Sequence, residues 1–91
     1  MRLDDHQCPA LVRGARLQLD SKTGEPMLLF PEGVIHLSET AHDILLLCDG
    51  RTALEGVVRK LAEQYEVEPN VISKDVRECL LELIEHNLIT V

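Results

Sequence analysis

The stretch Leu28–Gly50, LLFPEGVIHLSETAHDILLLCDG, constrains the fold of this chain more than any other. Its first residues continue an apolar run from Met27 to Phe30, which reads as a buried strand. Pro31 suits the second position of a type I turn and Gly33 the position after the turn's centre, so a hairpin is expected. The return strand is Gly33–Leu37, with Val34 and His36 on one face and Ile35 and Leu37 on the other. Ser38 then supplies a helix N-cap, and Glu39 places an acid in the first turn. Ala41, Ile44, Leu45 and Cys48 share one helical face, and Gly50 is expected to end the helix as a left-handed cap. A hairpin joined to a helix with almost no linker can bury both apolar faces in few ways.

The remaining chain fits around that unit. In Ala15–Asp20, Leu17 and Leu19 alternate with Arg16, Gln18 and Asp20, which marks a half-buried strand. Ser21–Glu25 reads as a turn, with Gly24 free to take a positive φ. The continuous apolar character of Met27–Phe30 puts that strand at the centre of three. Thr52 and Glu55 have the spacing of a capping box opening a second helix, whose stripe is Leu54, Val57, Val58, Leu61 and Tyr65. Pro69 suits the first turn of a third helix running to about His86 or Asn87 and followed by Leu-Ile-Thr-Val. Ile72, Val76, Cys79, Leu80 and Leu83 form its core stripe. Residues 1–8 are polar and unpatterned and are expected to be a flexible tail before one domain over residues 9–91. Strands followed by helices indicate α+β architecture: a three-stranded antiparallel sheet, then three helices, in a winged helix-turn-helix arrangement with the hairpin as the wing.

Several function classes are disfavoured by composition. At 91 residues and a net charge of −7, the chain lacks the basic face that nucleic acid or an anionic membrane requires. Between Pro69 and Ile89, Lys74 and Arg77 stand against Asp75, Glu78, Glu82 and Glu85, so a helix of this sequence would be repelled by a major groove. No apolar run is long enough to span a membrane, and the start MRLDDHQCPA has no signal-peptide core. Three unclustered cysteines fit a reducing compartment, and a cytoplasmic protein is expected. His6, Cys8, His36, His42, Cys48, Cys79 and His86 show no metal-ligand spacing, and no nucleophile or phosphate-loop motif occurs, so no metal, cofactor or catalytic residue is expected.

What the pattern does offer is a binding edge. If strand order follows the chain, Gly33–Leu37 lies at the edge of the sheet with backbone groups unpaired on one side, and such an edge accepts another strand. On the third helix, Leu81, Ile84 and Leu88 run off the core stripe with Arg77 beside them, which reads either as a second packed face or as the wall of a groove. The same apolar edge is compatible with strand exchange between protomers, hence with a homodimer.

The segments RGARLQLD, LLFPEGVIHLSETAHDILLLCDG and DVRECLLELIEHNLI together resemble the PqqD family, the peptide chaperones of pyrroloquinoline quinone (PQQ) biosynthesis. The resemblance covers about residues 9 to 91 and implies a RiPP recognition element. Such a domain is not an enzyme: it holds the PQQ precursor peptide as an added strand and presents it to a radical SAM enzyme. Carried onto this sequence, the resemblance implies peptide contacts from Gly33, Val34, Ile35, His36 and Leu37 on the strand and from Lys74, Arg77, Glu78 and Leu81 on the helix. A recognition domain for another ribosomal modified-peptide pathway and, less favoured by charge, a winged-helix DNA-binding regulator are the alternatives.

Overall fold

A computed structural model describes residues 3–91; Met1 and Arg2 of the expected tail lie outside the described residues. The elements run β1 (Ala10–Leu11), β2 (Arg16–Leu19), β3 (Pro26–Phe30), β4 (Gly33–His36), α1 (Glu39–Leu46), α2 (Leu54–Tyr65), α3 (Pro69–Glu85) and β5 (Ile89–Thr90). The antiparallel sheet has the order β2-β3-β4, so the Met27–Phe30 run is central as its pattern implies. Leu28, at its middle, is completely buried among Ile44, Leu54, Leu61 and Leu80 of the core. At the β2–β3 turn the Asp20 carboxylate accepts from Lys22 N–H at 2.7 Å and Thr23 N–H at 3.2 Å, and Gly24 turns with φ 75°. Those two N–H groups hold the Asp20 carboxyl below its usual range, because they bond its ionised form.

Helix α1 starts as the sequence dictates, with Ser38 Oγ accepting from Ala41 N–H at 3.1 Å. Its end differs from the expectation at Gly50: the helix stops at Leu46 and Leu47 is the cap. Competing bonds explain the early stop. Cys48 N–H tightens back to the Leu45 carbonyl, and Gly50 N–H is taken by the carbonyl of buried Pro9 at 3.0 Å. Gly50 does have a positive φ, 75°, but it serves the turn beside β1 instead of the helix.

The capping box at Thr52 and Glu55 does not form. Asp49 draws Thr52 away, accepting from Arg51 N–H, Thr52 N–H and the Thr52 hydroxyl, so the N-cap shifts to Ala53, which has no side-chain bond to give. The open N–H groups of Leu54 and Glu55 donate instead to the carbonyls of Gln7 at 2.8 Å and Asp5 at 3.1 Å. The segment expected as a loose tail is therefore seated from Leu3 onward and performs the capping that no local side chain supplies. A further pairing absent from the sequence reading joins the two ends: β1 and β5 are antiparallel, with Ala10 opposite Thr90 and Leu11 opposite Ile89.

Helices α2 and α3 both close with a bond that reaches back five residues into the last turn: Val67 N–H to Ala62 at 3.0 Å, and Leu88 N–H to Leu83 at 2.9 Å. Each needs a left-handed residue, and these are Glu66 (φ 57°) and Asn87 (φ 60°). Asparagine tolerates that conformation better than glutamate does. Glu66→Gly is expected to raise stability by about 0.5–1 kcal/mol, the relief of left-handed strain partly offset by glycine's greater chain entropy. Denaturant unfolding of the two proteins measures it, and a loss of stability would contradict the account.

Candidate functional site

Which groups of β4 are free follows from one bond outside the strand. Leu37 N–H donates to the Pro26 carbonyl at 3.0 Å, so residue 37 faces β3. With Leu28 opposite Ile35 and Phe30 opposite Gly33, the alternation of an antiparallel ladder turns residues 33, 35 and 37 inward. The backbone N–H and C=O of Val34 and His36 therefore point off the open edge. Their side chains are exposed, whereas Ile35 and Leu37 are half-buried against the core.

Beside this edge lies a cleft of about 230 Å³, walled by Ile35–Ser38 on one side and by Cys79, Glu82, Leu83 and His86 of α3 on the other. The edge strand and α3 thus enclose a slot, as expected, but with a different helix face. Lys74, Arg77, Glu78 and Leu81 do not line it. Arg77 and Leu81 stand about 160° around the helix from Cys79, at about 100° per residue. Arg77 donates to the Leu3 carbonyl at 2.6 Å, to the Asp5 carboxylate and to Ser73 Oγ at 3.3 Å, so its guanidinium clamps the N-terminal segment. Lys74 and Glu78 form a solvated pair at 4.0 Å, with side chains 81% and 66% exposed. Leu81 is half-buried against the core.

The residues that do face the slot had a signal in the sequence. Cys79, Glu82 and His86 recur at spacings of three and four, a half-polar stripe bordering the core stripe that Asp75 continues beyond the slot. A helical wheel gives both that stripe and the Arg77–Leu81 stripe; only the position of the sheet selects between them.

Two cysteines lie close to the slot. Burial, with Cys79 and Asp49 as further causes, pushes the Cys48 thiol up to about 12, and burial and then Glu82 raise that of Cys79. Both shifts favour the neutral thiol, so neither sulfur is prepared as a nucleophile. Among the described residues no cluster of His, Cys, Asp or Glu is arranged to hold a metal. An edge of unsatisfied backbone groups beside a shallow, mixed-polarity wall can bind an extended chain.

Comparison with known proteins defines first the class. The solution NMR structure of the PqqD truncation of Methylobacterium extorquens PqqCD, described as a functional and stand-alone RiPP recognition element, superposes with a TM-score of 0.86 at 28% identity, covering 99% of this chain and 96% of that one. The crystal structure of PqqD from Xanthomonas campestris matches with a TM-score of 0.62 at 30% identity, covering 99% of this chain and 100% of that one. The family profile of coenzyme PQQ synthesis protein D matches residues 25–89. The PqqA binding protein of Methylococcus capsulatus is 43% identical over 65 residues, 71% of this chain and 68% of that protein. That of Kluyvera intermedia is 33% identical over 87 residues, 96% of this chain and 94% of that protein. The bifunctional coenzyme PQQ synthesis protein C/D of Methylorubrum extorquens is 31% identical over 81 residues, 89% of this chain but 22% of that longer protein. The chain belongs to the PqqD family.

Two outcomes follow from the geometry. Arg77→Ala is expected to cost about 1–2 kcal/mol of stability, the range for bonds to a charged group reduced for partial exposure. It should also speed hydrogen exchange at Leu54 and Glu55, whose amides depend on the seated segment; unchanged exchange there would show that Arg77 does not hold it. Thiol labelling at pH 8 should leave Cys48 for last. Raising a thiol from the ordinary 9.0 to about 12 cuts its thiolate fraction about a thousandfold. Labelling of Cys48 as fast as Cys8 in the folded protein would contradict its burial.

Proposed function

We propose that this chain is a non-catalytic peptide chaperone of PQQ biosynthesis. It takes the precursor peptide as a strand added to β4 and holds it for the radical SAM enzyme of the pathway, acting in the cytoplasm. The observation that carries this reading is the open edge: the backbone groups of Val34 and His36 face outward beside the Cys79–His86 face of α3. Family membership and the names of the relatives, PqqA binding proteins, support the same reading. So does charge, because a chain at −7 with Arg77 engaged by Leu3 and Asp5 has little to offer a phosphate backbone. A second copy of the chain competes for the same edge, so a homodimer and the peptide complex are alternatives at β4.

The alternation along β4 makes a paired test. His36→Pro removes an outward donor at an exposed edge position, where proline is tolerated. It is expected to leave the fold intact and to weaken binding of a synthetic PqqA peptide at least tenfold. Ile35→Pro removes an inward bond to Leu28 and should instead cost the sheet roughly 3 kcal/mol. Circular dichroism with calorimetry reads both effects. A folded His36→Pro variant with undiminished peptide affinity would sink strand addition at β4.

A further inference from the structure

The cleft does not close where β4 ends. Near Ser38 it opens into a second hollow of about 390 Å³ between α1 and α3, sharing Ser38, Ala41, Cys79 and Glu82 with the first. The second shares Thr40 and Asp75 with a third, of about 240 Å³, that ends at Tyr65, Val67 and Val71. Together they form one trough along α3 from His86 to Val71, about 22 Å at about 1.5 Å per residue. The four residues of β4 cover only about 13 Å of extended chain. The trough therefore outruns the strand edge by about three residues of a bound peptide.

Two features of the extension state what it fits. Its far end is apolar and uncovered: Val67 is 39% exposed and Val71 is 62% exposed. Its charged lining residues are Asp75 and Glu82, and no Lys or Arg is among the residues lining any of the three hollows. Asp43, which accepts from the Tyr65 hydroxyl, adds a third carboxylate near the far end. An unbalanced acidic wall of this kind attracts a cation. It also disfavours a second copy of this chain, which carries −7, and duplex DNA.

We propose that the bound peptide continues past β4 into the α1–α3 trough, where a Lys or Arg of the peptide lies between Asp75 and Glu82 and an apolar peptide side chain covers Val67 and Val71. This rests on the peptide-binding reading above and extends it. The strand edge supplies main-chain bonds that any sequence can make; the trough supplies the selection for a basic residue followed or preceded by an apolar one.

The test uses a synthetic PqqA precursor peptide with the wild-type protein, Asp75→Lys, Val71→Ser and the strand variant His36→Pro. Asp75 and Val71 are exposed, so both trough variants should fold. Amide resonances of Thr40, Val71 and Asp75 should shift with those of β4 on peptide addition. Asp75→Lys should weaken binding about tenfold at about 50 mM salt and less at about 300 mM, as a screened charge contact requires. Val71→Ser should weaken it severalfold at both. A peptide whose Lys and Arg are replaced by Glu should prefer Asp75→Lys over the wild type. If His36→Pro loses the peptide while both trough variants bind normally, the peptide stops at the strand edge and the proposal is overturned, with the chaperone reading intact. If the wild type does not bind, or His36→Pro binds as well as it does, both readings fall.

Discussion

The clamp that Arg77 places on the N-terminal segment organises the rest of the molecule. One guanidinium reaches the Leu3 carbonyl and the Asp5 carboxylate, and the segment so held gives its carbonyls at Asp5 and Gln7 to the N-terminus of α2 and at Pro9 to Gly50. Without those carbonyls, α2 begins at Ala53 with no side-chain cap. The rotation of α3 about its axis is set by its buried stripe, Ile72, Val76, Leu80 and Leu83, and the clamp lies on a flank of that stripe. With that stripe buried, Arg77 lies on one flank of α3, and Cys79, Glu82 and His86, about 160° from it, border the cleft beside β4.

The sheet has two open edges, and the backbone alone does not distinguish them. On β2 the bond from Asp20 N–H to the Glu25 carbonyl at 2.7 Å puts even-numbered residues inward, which leaves the groups of Leu17 and Leu19 facing out. No β2 residue lines any of the three hollows along α3, while Ile35 and His36 of β4 line the cleft at the C-terminal end of α3. An edge strand is a hazard for any soluble protein. Both edge strands are only four residues long, and the β4 edge is set beside the cleft that Glu82 lines.

Legibility in the sequence followed the range of the interactions. The hairpin, its central strand and the start of α1 rest on contacts within a few residues: Pro31 and Gly33 at the turn, the Met27–Phe30 run, and Ser38 bonding Ala41. Pro69 likewise opens α3 as its fixed φ implies. The differences came from competing local bonds and from distant partners. Thr52 looked like a cap until Asp49 claimed it, and the groups that cap α2 in its place come from residues 5 and 7. The two-residue strands Ala10–Leu11 and Ile89–Thr90 carry no periodic signal of their own and exist because they meet. At the candidate site, the strand was legible to the element and the helix was not legible to the face, because amphipathic period fixes which residues share a side but not which neighbour that side will meet.

The division between strand and trough has a consequence for specificity. In the proposed complex, main-chain bonding at Val34 and His36 is blind to peptide sequence, so affinity gained there would be shared by any extended segment. Discrimination must come from groups that penalise the wrong residue, and in the proposed complex Asp75 and Glu82 would do so by facing an unpaired carboxylate to any segment without a cation. Each carboxylate is exposed, so each penalty is small and weakens with salt. In the proposed complex the strand edge would hold the peptide and the trough would rank peptides, and contacts this exposed are compatible with fast release.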